Sequence, residues 1–486
     1  MNKPLSLTAE AQATRVRYGV LAWVCSLSML TYIDRVAIKS VRPEMQGELG
    51  LSNEQFAYIF AAFGLAYALF EVPSGWLGDR IGPRKVLARI VFAWSLFTAL
   101  TGLVWNFAWL NTGIRVTLPF SGIEAVLFDA FILLVLVRFL FGMGEAGAYP
   151  NIARAMKSWF PYRQRGLGQG LLWTFGRWGG AISPLLVVLI SQVVGWRGAF
   201  VFFGVVGVVW VVFFYLWFRD TPREHPGVNA AELALIEQGN GSTGRLPPLS
   251  WRTLLASPTL WLLCLMYVCS NAGWSFFITW DVAYFQKKLH LSGLELGLAS
   301  GAPLFFGGVA CFLGGFLTDR QVRVWGRRWG RTLQGAAAYF VGGLLFLLAF
   351  LLTHLLSGNL ADGSGWLVVL LTFLAVLALC LASFAKDFAM AVSWSTCIDI
   401  GHRYSGTVSG FMNMVGNLGT PVTSFMVPWL ASRAGPGEEA NWSIALIYSG
   451  CMFLISAACW LFINPRRVIV YAPADKERLR REGALE

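Results

Sequence analysis

The sequence predicts an all-α membrane protein of twelve membrane-spanning helices in two pseudo-symmetric six-helix bundles, and three observations carry that prediction. The 486 residues are 56% hydrophobic and 13% charged, with a mean hydropathy of +0.59, which is more apolar than a water-soluble chain sustains. About a dozen apolar runs approach the roughly 20 residues that a bilayer core about 30 Å thick demands of a helix. Identical residues also recur at one spacing: Gly75 and Gly315, Leu77 and Leu317, Asp79 and Asp319, and Arg80 and Arg320 are each 240 apart, as are Gly166 and Gly406, Gly170 and Gly410, Gly176 and Gly416, and Gly179 and Gly419. One offset in two separated places argues for a duplicated unit.

In chain order the runs fall at 18–40, 54–77, 84–105, 126–149, 164–192, 196–218, 258–286, 294–317, 331–356, 365–394, 405–432 and 442–463. Between the sixth and seventh the composition turns polar, "RDTPREHPG" and "GNGSTGRLPP" flanking a short helical stretch "NAAELALIEQ". The division is therefore a first bundle at 1–218, a linker at 219–257, a second bundle at 258–463 and a tail at 464–486. Most of the 38 Lys and Arg residues fall on the side that holds both ends of the chain, which predicts cytoplasmic termini in a cell (inner) membrane. The formal charge of +12 is then mostly topology, and nucleic acid is not an expected partner. The basic tail reads as a solvated or lipid-surface segment.

The first run is too long for a secretory leader and lacks a small-residue cleavage site, so it reads as a helix that stays. The eight cysteines lie in or at the ends of apolar runs without paired spacing, so no metal or disulfide framework is expected. With four histidines and no Ser/His/Asp set, an enzyme is disfavoured and no cofactor is expected. "GMGEAG" at 142–147 matches a dinucleotide-loop pattern letter by letter, but it sits inside an apolar run outside any strand–turn–helix context, and close helix packing explains its glycines better. The repeated glycines of the fifth and eleventh runs suit close approach of helices, either as ordinary tight packing or where one half slides on the other.

"GWLGDRIGPRK" at 75–85 and its echo "GFLTDRQVRVWGRR" at 315–328 place charges where the chain is otherwise apolar. Gly75, Asp79, Arg80, Gly82, Arg84 and Lys85 resemble the Gly-x-x-x-Asp-Arg-x-Gly-x-Arg-Arg/Lys loop of the major facilitator superfamily. The resemblance implies a cytoplasmic latch made by Gly75, Asp79, Arg80 and Arg84 and repeated at Asp319 and Arg320. Enforcing topology is the alternative, and it leaves the aspartates unexplained. An aspartate at such a helix end suits a neighbouring arginine and the free amides of a facing helix N-terminus. "YIDR" at 32–35, "FGLAYALFEVPSGWLGDR" at 63–80, "RFLFGMGEAGAYPN" at 138–151, "WFPYRQRG" at 159–166 and "GWRGAFVFFGVVGVVWVVFFY" at 195–215 further resemble the anion:cation symporter family, which includes bacterial carriers of galactonate, glucarate and hexuronates.

Ionisable groups inside membrane runs need a purpose or a partner. Arg138 and Glu145, seven residues apart, lie on one face of a helix about two turns apart. They form either a proton-carrying site or a static pair. Asp34 and Arg35 lie near the outer end of the first run, where an interfacial pair is the alternative. The family resemblance implies proton coupling through Asp34 and Glu145, and substrate contacts from Tyr32, Arg35, Tyr67, Ser393, Trp394 and Asn413. Arg138 and Arg177 add cations that favour an anionic ligand over a cationic drug. The chain departs from the family at Gly176, which aligns with a glutamine and leaves Arg177 shifted by one, and at Asp281, Lys386 and Asp387. Lys386 is expected either to pair with Asp281 or Asp387 or to hold a substrate carboxylate. Glu71 is a further carboxylate in the second run.

These residues together predict a monomeric secondary transporter that imports a small organic anion, a sugar acid such as a hexonate, hexarate or hexuronate, by proton symport with alternating access. The alternatives are a proton-coupled exporter of a metabolite or drug and a symporter of an aromatic or dicarboxylic acid.

Overall fold

The computed structural model describes residues 12–105, 115–117, 124–126, 129–237, 247–277, 281–359, 365–419, 423, 426–427, 430 and 443–481. The first half comprises α1 (Val16–Ser40), the short α2 (Arg42–Leu49), α3 (Asn53–Ile81), α4 (Pro83–Gly102), α5 (Ala130–Glu145), α6 (Ala148–Trp159) and α7 (Arg165–Trp217). After α8 (Ala230–Glu237) and α9 (Trp251–Leu255) in the connecting segment, the second half runs through α10 (Pro258–Trp274), α11 (Asp281–Lys288), α12 (Gly293–Asn359), α13 (Gly365–Phe388), α14 (Met390–Gly401), α15 (Ser405–Gly416) and α16 (Ser443–Phe462), and α17 (Pro473–Arg481) follows. The predicted ends of the run at 405–432 lie partly outside the described residues.

Local chemistry sets the boundaries. Ser52 opens α3 with a capping box, its hydroxyl accepting from the Gln55 amide while the Gln55 side chain accepts from the Ser52 amide. The break between α3 and α4 is a Gly-Pro pair, with Gly82 at φ +93° and Pro83 at the first helical position. α7 and α12 each contain two spans joined at one residue, Gly195 (φ +72°) and Gly326 (φ +74°), a conformation that costs a glycine nothing and an ordinary residue roughly 1 kcal/mol or more.

The structure revises several predicted ends. The polar stretch 318–330 is helical on both sides of Gly326, because its arginines are good helix formers and only the glycine breaks the line. The fourth run is two helices that meet at Ala146–Gly147, with Gly147 at φ +86°, and the tenth is likewise interrupted at Ala389. The segments after these breaks, α6 and α14, are 12 residues each, so the duplication extends to the interruptions. The seventh run is interrupted after Trp274. A two-stranded antiparallel ribbon, Arg115–Thr117 with Glu124–Val126, stands between α4 and α5 where no strand was expected.

The halves meet along two equivalent seams, α3 against α15 and α7 against α12. The glycine repeat divides between two tasks. Across the seams, a Cβ on Gly75 would lie 2.3 Å from the Gly406 carbonyl oxygen, and one on Gly315 2.4 Å from that of Gly166. Within the halves, Gly176 and Gly179 face α1, and Gly416 and Gly419 face α10. The first members of the repeat therefore lie at the seams and the others within the halves. In "GMGEAG", Gly142 lies against the Phe63 backbone, Gly144 against Trp94 and Gly147 against Ser74, which is packing of α5 and α6 on α3 and α4.

Candidate transport site

A cavity of about 610 Å³ lies between the halves, within the size range of small-molecule sites. Its wall takes Tyr32 and Arg35 from α1, Phe63 and Tyr67 from α3, Tyr149 from α6, and Trp173 and Arg177 from α7. The second half adds Tyr267, Asn271 and Trp274 from α10, Lys386 from α13, Met390 from α14, Asn413 from α15 and the adjoining Asn417. Tyr67 precedes Asp79 by twelve residues of one helix, or about 18 Å, so the cavity is near mid-membrane when α3 spans.

Arg35 holds the first half's charge cluster together. Its guanidinium donates to Glu145 Oε1 from Nε at 3.1 Å and also from Nη2. It packs against the rings of Tyr32, Phe63 and Tyr67, closest to Tyr67 at 4.7 Å from the centroid. Glu145 is buried, and its second oxygen has no hydrogen-bond partner among the described residues. The helix ends at this glutamate. Arg138, two turns earlier, is buried against Phe141 instead and forms no part of the cavity wall. Asp34 is also buried behind the wall, within electrostatic range of Glu145 and Arg138. One face of α5 thus supplies two layers: Glu145 behind the arginine of the wall, Arg138 deeper still.

The second cluster crosses the halves. Arg177 donates to both oxygens of Asp387, Nε to Oδ2 at 3.0 Å and Nη2 to Oδ1 at 2.7 Å, and Lys386 Nζ donates to Oδ1 at 3.1 Å. Arg177 Nη1 also donates to the Tyr32 hydroxyl at 3.3 Å. Lys386 therefore takes Asp387 as its partner. Asp281 accepts from the Val282 amide at 2.8 Å, and no ion pair joins it to Lys386 among the described residues. Asn413 donates to Glu71 Oε1 at 2.8 Å and to the Tyr67 hydroxyl at 3.2 Å, joining the two halves at a third point.

Below these groups is an aromatic floor. Tyr149 stacks on Trp173 at 4.5 Å, and Trp173 lies 5.3 Å from Trp394. Trp394 is fully buried with its indole N–H donated to Tyr267 at 3.2 Å. Ser393 is fully buried and donates to the Ala389 carbonyl. These two expected substrate contacts sit one layer behind the wall: Trp394 packs against Tyr149 and Trp173 of the first half, and Ser393 is bonded back to its own helix.

Nearer the face that carries both termini, two matching contacts close the seams. Asp79 Oδ1 accepts the Gly406 amide at 3.1 Å, and its Oδ2 accepts the Thr407 amide at 2.6 Å and hydroxyl at 2.8 Å. Asp319 accepts the Gly166 and Leu167 amides at 2.9 and 2.7 Å. Each carboxylate thus caps the N-terminal end of a helix from the opposite half. Arg154 approaches Asp79 at 3.6 Å. Arg165 and Arg331 grip Asp399 at 2.9 and 3.1 Å, with Arg331 4.0 Å from Asp319.

Sequence reasoning missed Arg154, Arg165, Arg331 and Asp399. A carboxylate in "STCIDIG", between the tenth and eleventh runs, was the available signal. The arginines of the motif itself are elsewhere: Arg80 lies over the Trp76 ring, Arg320 is exposed, and Arg84 binds the Tyr215 carbonyl at 2.6 Å while its amide donates to Asp220. Arg84 thus ties the start of α4 to the end of α7 and to Asp220 within the first half, away from the seam.

Two helical halves around a central cavity, joined by mirrored contacts, define a membrane transporter. A family model for the Major Facilitator Superfamily matches residues 24–424, and the chain belongs to that superfamily as a multi-pass transporter, not an enzyme. It is 31% identical over 471 residues to the probable sulfoacetate transporter SauU of Cupriavidus necator, covering 96% of this chain and 97% of the relative. It is 28% identical over 487 residues to the probable galactarate/D-glucarate transporter GudP of Bacillus subtilis, covering 97% of each. Among solved structures, the fold matches the E. coli fucose:proton symporter FucP with a TM-score of 0.63 at 16% identity, covering 93% of this chain and 100% of the other. The proton:xylose symporter XylE matches at 0.64 and 15% identity, covering 93% and 97%.

Proposed function

We propose that this protein imports a small organic anion of the sugar-acid class together with protons, by alternating access between the two halves. The observation that carries the reading is the pair made by Arg35 of the cavity wall with Glu145 behind it. An anion entering the cavity competes with Glu145 for Arg35, and a proton on Glu145 releases the arginine to the ligand. Proton and anion then load together because each removes the other's competitor. Asp34 and Arg138 surround this exchange as a second carboxylate and a second cation. Asn413 and Tyr67 offer donors and acceptors suited to hydroxyl groups.

Asp79 and Asp319 serve as the latches of the terminal face, to be broken and remade in each cycle. The functional halves are 1–218 and 258–463, joined by 219–257, with the tail at 464–486. The termini are assigned to the cytoplasm of a cell (inner) membrane, and a monomer suffices for the mechanism. The relatives named as sulfoacetate and sugar-acid transporters support the anion class.

The test is uptake into proteoliposomes of sugar acids, sulfonates, aromatic acids and dicarboxylates, with and without an inward proton gradient. The expected result is gradient-driven accumulation that Glu145→Gln abolishes while anion exchange persists. Accumulation insensitive to the gradient, or export driven by it, overturns the reading.

A further inference from the structure

We propose that the Arg177–Asp387–Lys386 cluster is a second anion subsite, so that the preferred substrate is a dianion held by an acidic group at each end. This rests on the carrier reading above and narrows its substrate class.

The first argument is charge. The cluster brings together two cations and one carboxylate, all buried, whereas Arg35 already faces a carboxylate of its own. Asp387 neutralises one positive charge and leaves the other, and a buried unbalanced charge is costly until it is met by an opposite one. Arg177 satisfies Asp387 by itself with two nitrogens, so the ammonium of Lys386, with one bond to Asp387 and three protons to give, is the group left over for a ligand.

The second argument is placement. Arg177 and Lys386 both line the cavity and both lie over the Trp274 ring, at 4.3 and 4.4 Å from its centroid. The Arg35 and Arg177 guanidinium centres are 5.6 and 6.0 Å from the Tyr32 centroid, so the two cationic centres share one wall and are separated by no more than the sum of those distances. A six-carbon diacid with C–C bonds near 1.5 Å spans about 6 Å between its carboxyl carbons. Adding a contact of about 3 Å at each end, it reaches from Arg35 to Arg177, beside which Lys386 shares the Asp387 carboxylate and the Trp274 ring. Arg35 belongs to the first half and Lys386 to the second, so such a ligand would bridge the surfaces that must move together.

The experiment measures binding by tryptophan fluorescence of the intact protein, comparing matched pairs that differ by one acidic group: a hexarate against the corresponding hexonate, and sulfoacetate against acetate. The expected result is at least tenfold tighter binding of the dianion in one or both pairs. Lys386→Met should collapse that ratio toward one, and Lys386→Arg should retain it. Because Arg177 and Asp387 still neutralise each other in Lys386→Met, that variant is expected to fold. Equal binding of mono- and dianions, or a ratio untouched by Lys386→Met, overturns the second subsite and leaves the carrier reading standing. Binding of neither kind of anion overturns both.

Discussion

Replacing Asp79 by asparagine should open the terminal face. The carboxylate takes three hydrogen bonds from Gly406 and Thr407, and an amide of the same shape offers one oxygen and one NH2 group, so at least one contact becomes donor against donor. Bonds to a charged acceptor contribute about 1.5–3 kcal/mol and neutral ones about 0.5–1.5, so losing the charge removes roughly 1 kcal/mol per bond, about 3 kcal/mol in all. At 1.4 kcal/mol per tenfold, the closed-face population should fall by roughly two orders of magnitude relative to the open one. The assay is a distance measurement between spin labels at Ile81 and Val324, exposed positions on opposite halves near this face, in a background with the exposed Cys451 replaced by serine. Asp79→Asn should shift the distribution toward longer distances, and Asp319→Asn should do the same through the other seam. An unchanged distribution in both variants would refute the latch argument.

Two further outcomes follow from local geometry. Gly75→Ala puts a methyl group 2.3 Å from the Gly406 carbonyl oxygen, an overpacking of about 1–3 kcal/mol confined to the closed seam, so transport should drop roughly tenfold or more while Gly297→Ala, with nothing within 4 Å, stays at the native rate. Glu232, in the segment between the halves, is buried, which pushes its carboxyl up, but hydrogen bonds from Thr14, the Arg17 and Val16 amides and the Arg17 guanidinium outweigh burial and hold it below its ordinary value of 4.5. A depressed folded-state value means stability present above about pH 4.5 and lost as the pH falls through the lower folded value. Glu232→Gln should therefore be about 1–2 kcal/mol less stable than the native protein at pH 7, read as a lower unfolding temperature, with the difference vanishing in strong acid.

Much of this transporter is legible in one dimension, because a bilayer imposes length and polarity on each helix separately. Long apolar runs and the duplication at a single offset need no knowledge of what touches what, and the aspartates at 79 and 319 announce themselves as charges that topology does not require. Arg35, Glu145, Arg177 and Asn413 are conspicuous for the same reason: a polar group in a membrane run needs a partner. The partners themselves belong to the tertiary structure. Asp79 reaches Gly406 across 327 residues, and Arg177 reaches Asp387 across 210. A hydrogen bond is fixed by angle and distance, which the sequence spacing within one helix does not convey to another. Arg138 and Glu145 share a face and both lie behind the wall, yet only Glu145 meets Arg35, while Arg138 packs on Phe141. Trp394 and Ser393 resemble cavity residues by motif and are fully buried, Trp394 against Tyr149 and Trp173 of the other half. Which residues need a partner is written along the chain; who that partner is follows from the packing of one half against the other, since the contacts that close the seams exist only when both halves are in place.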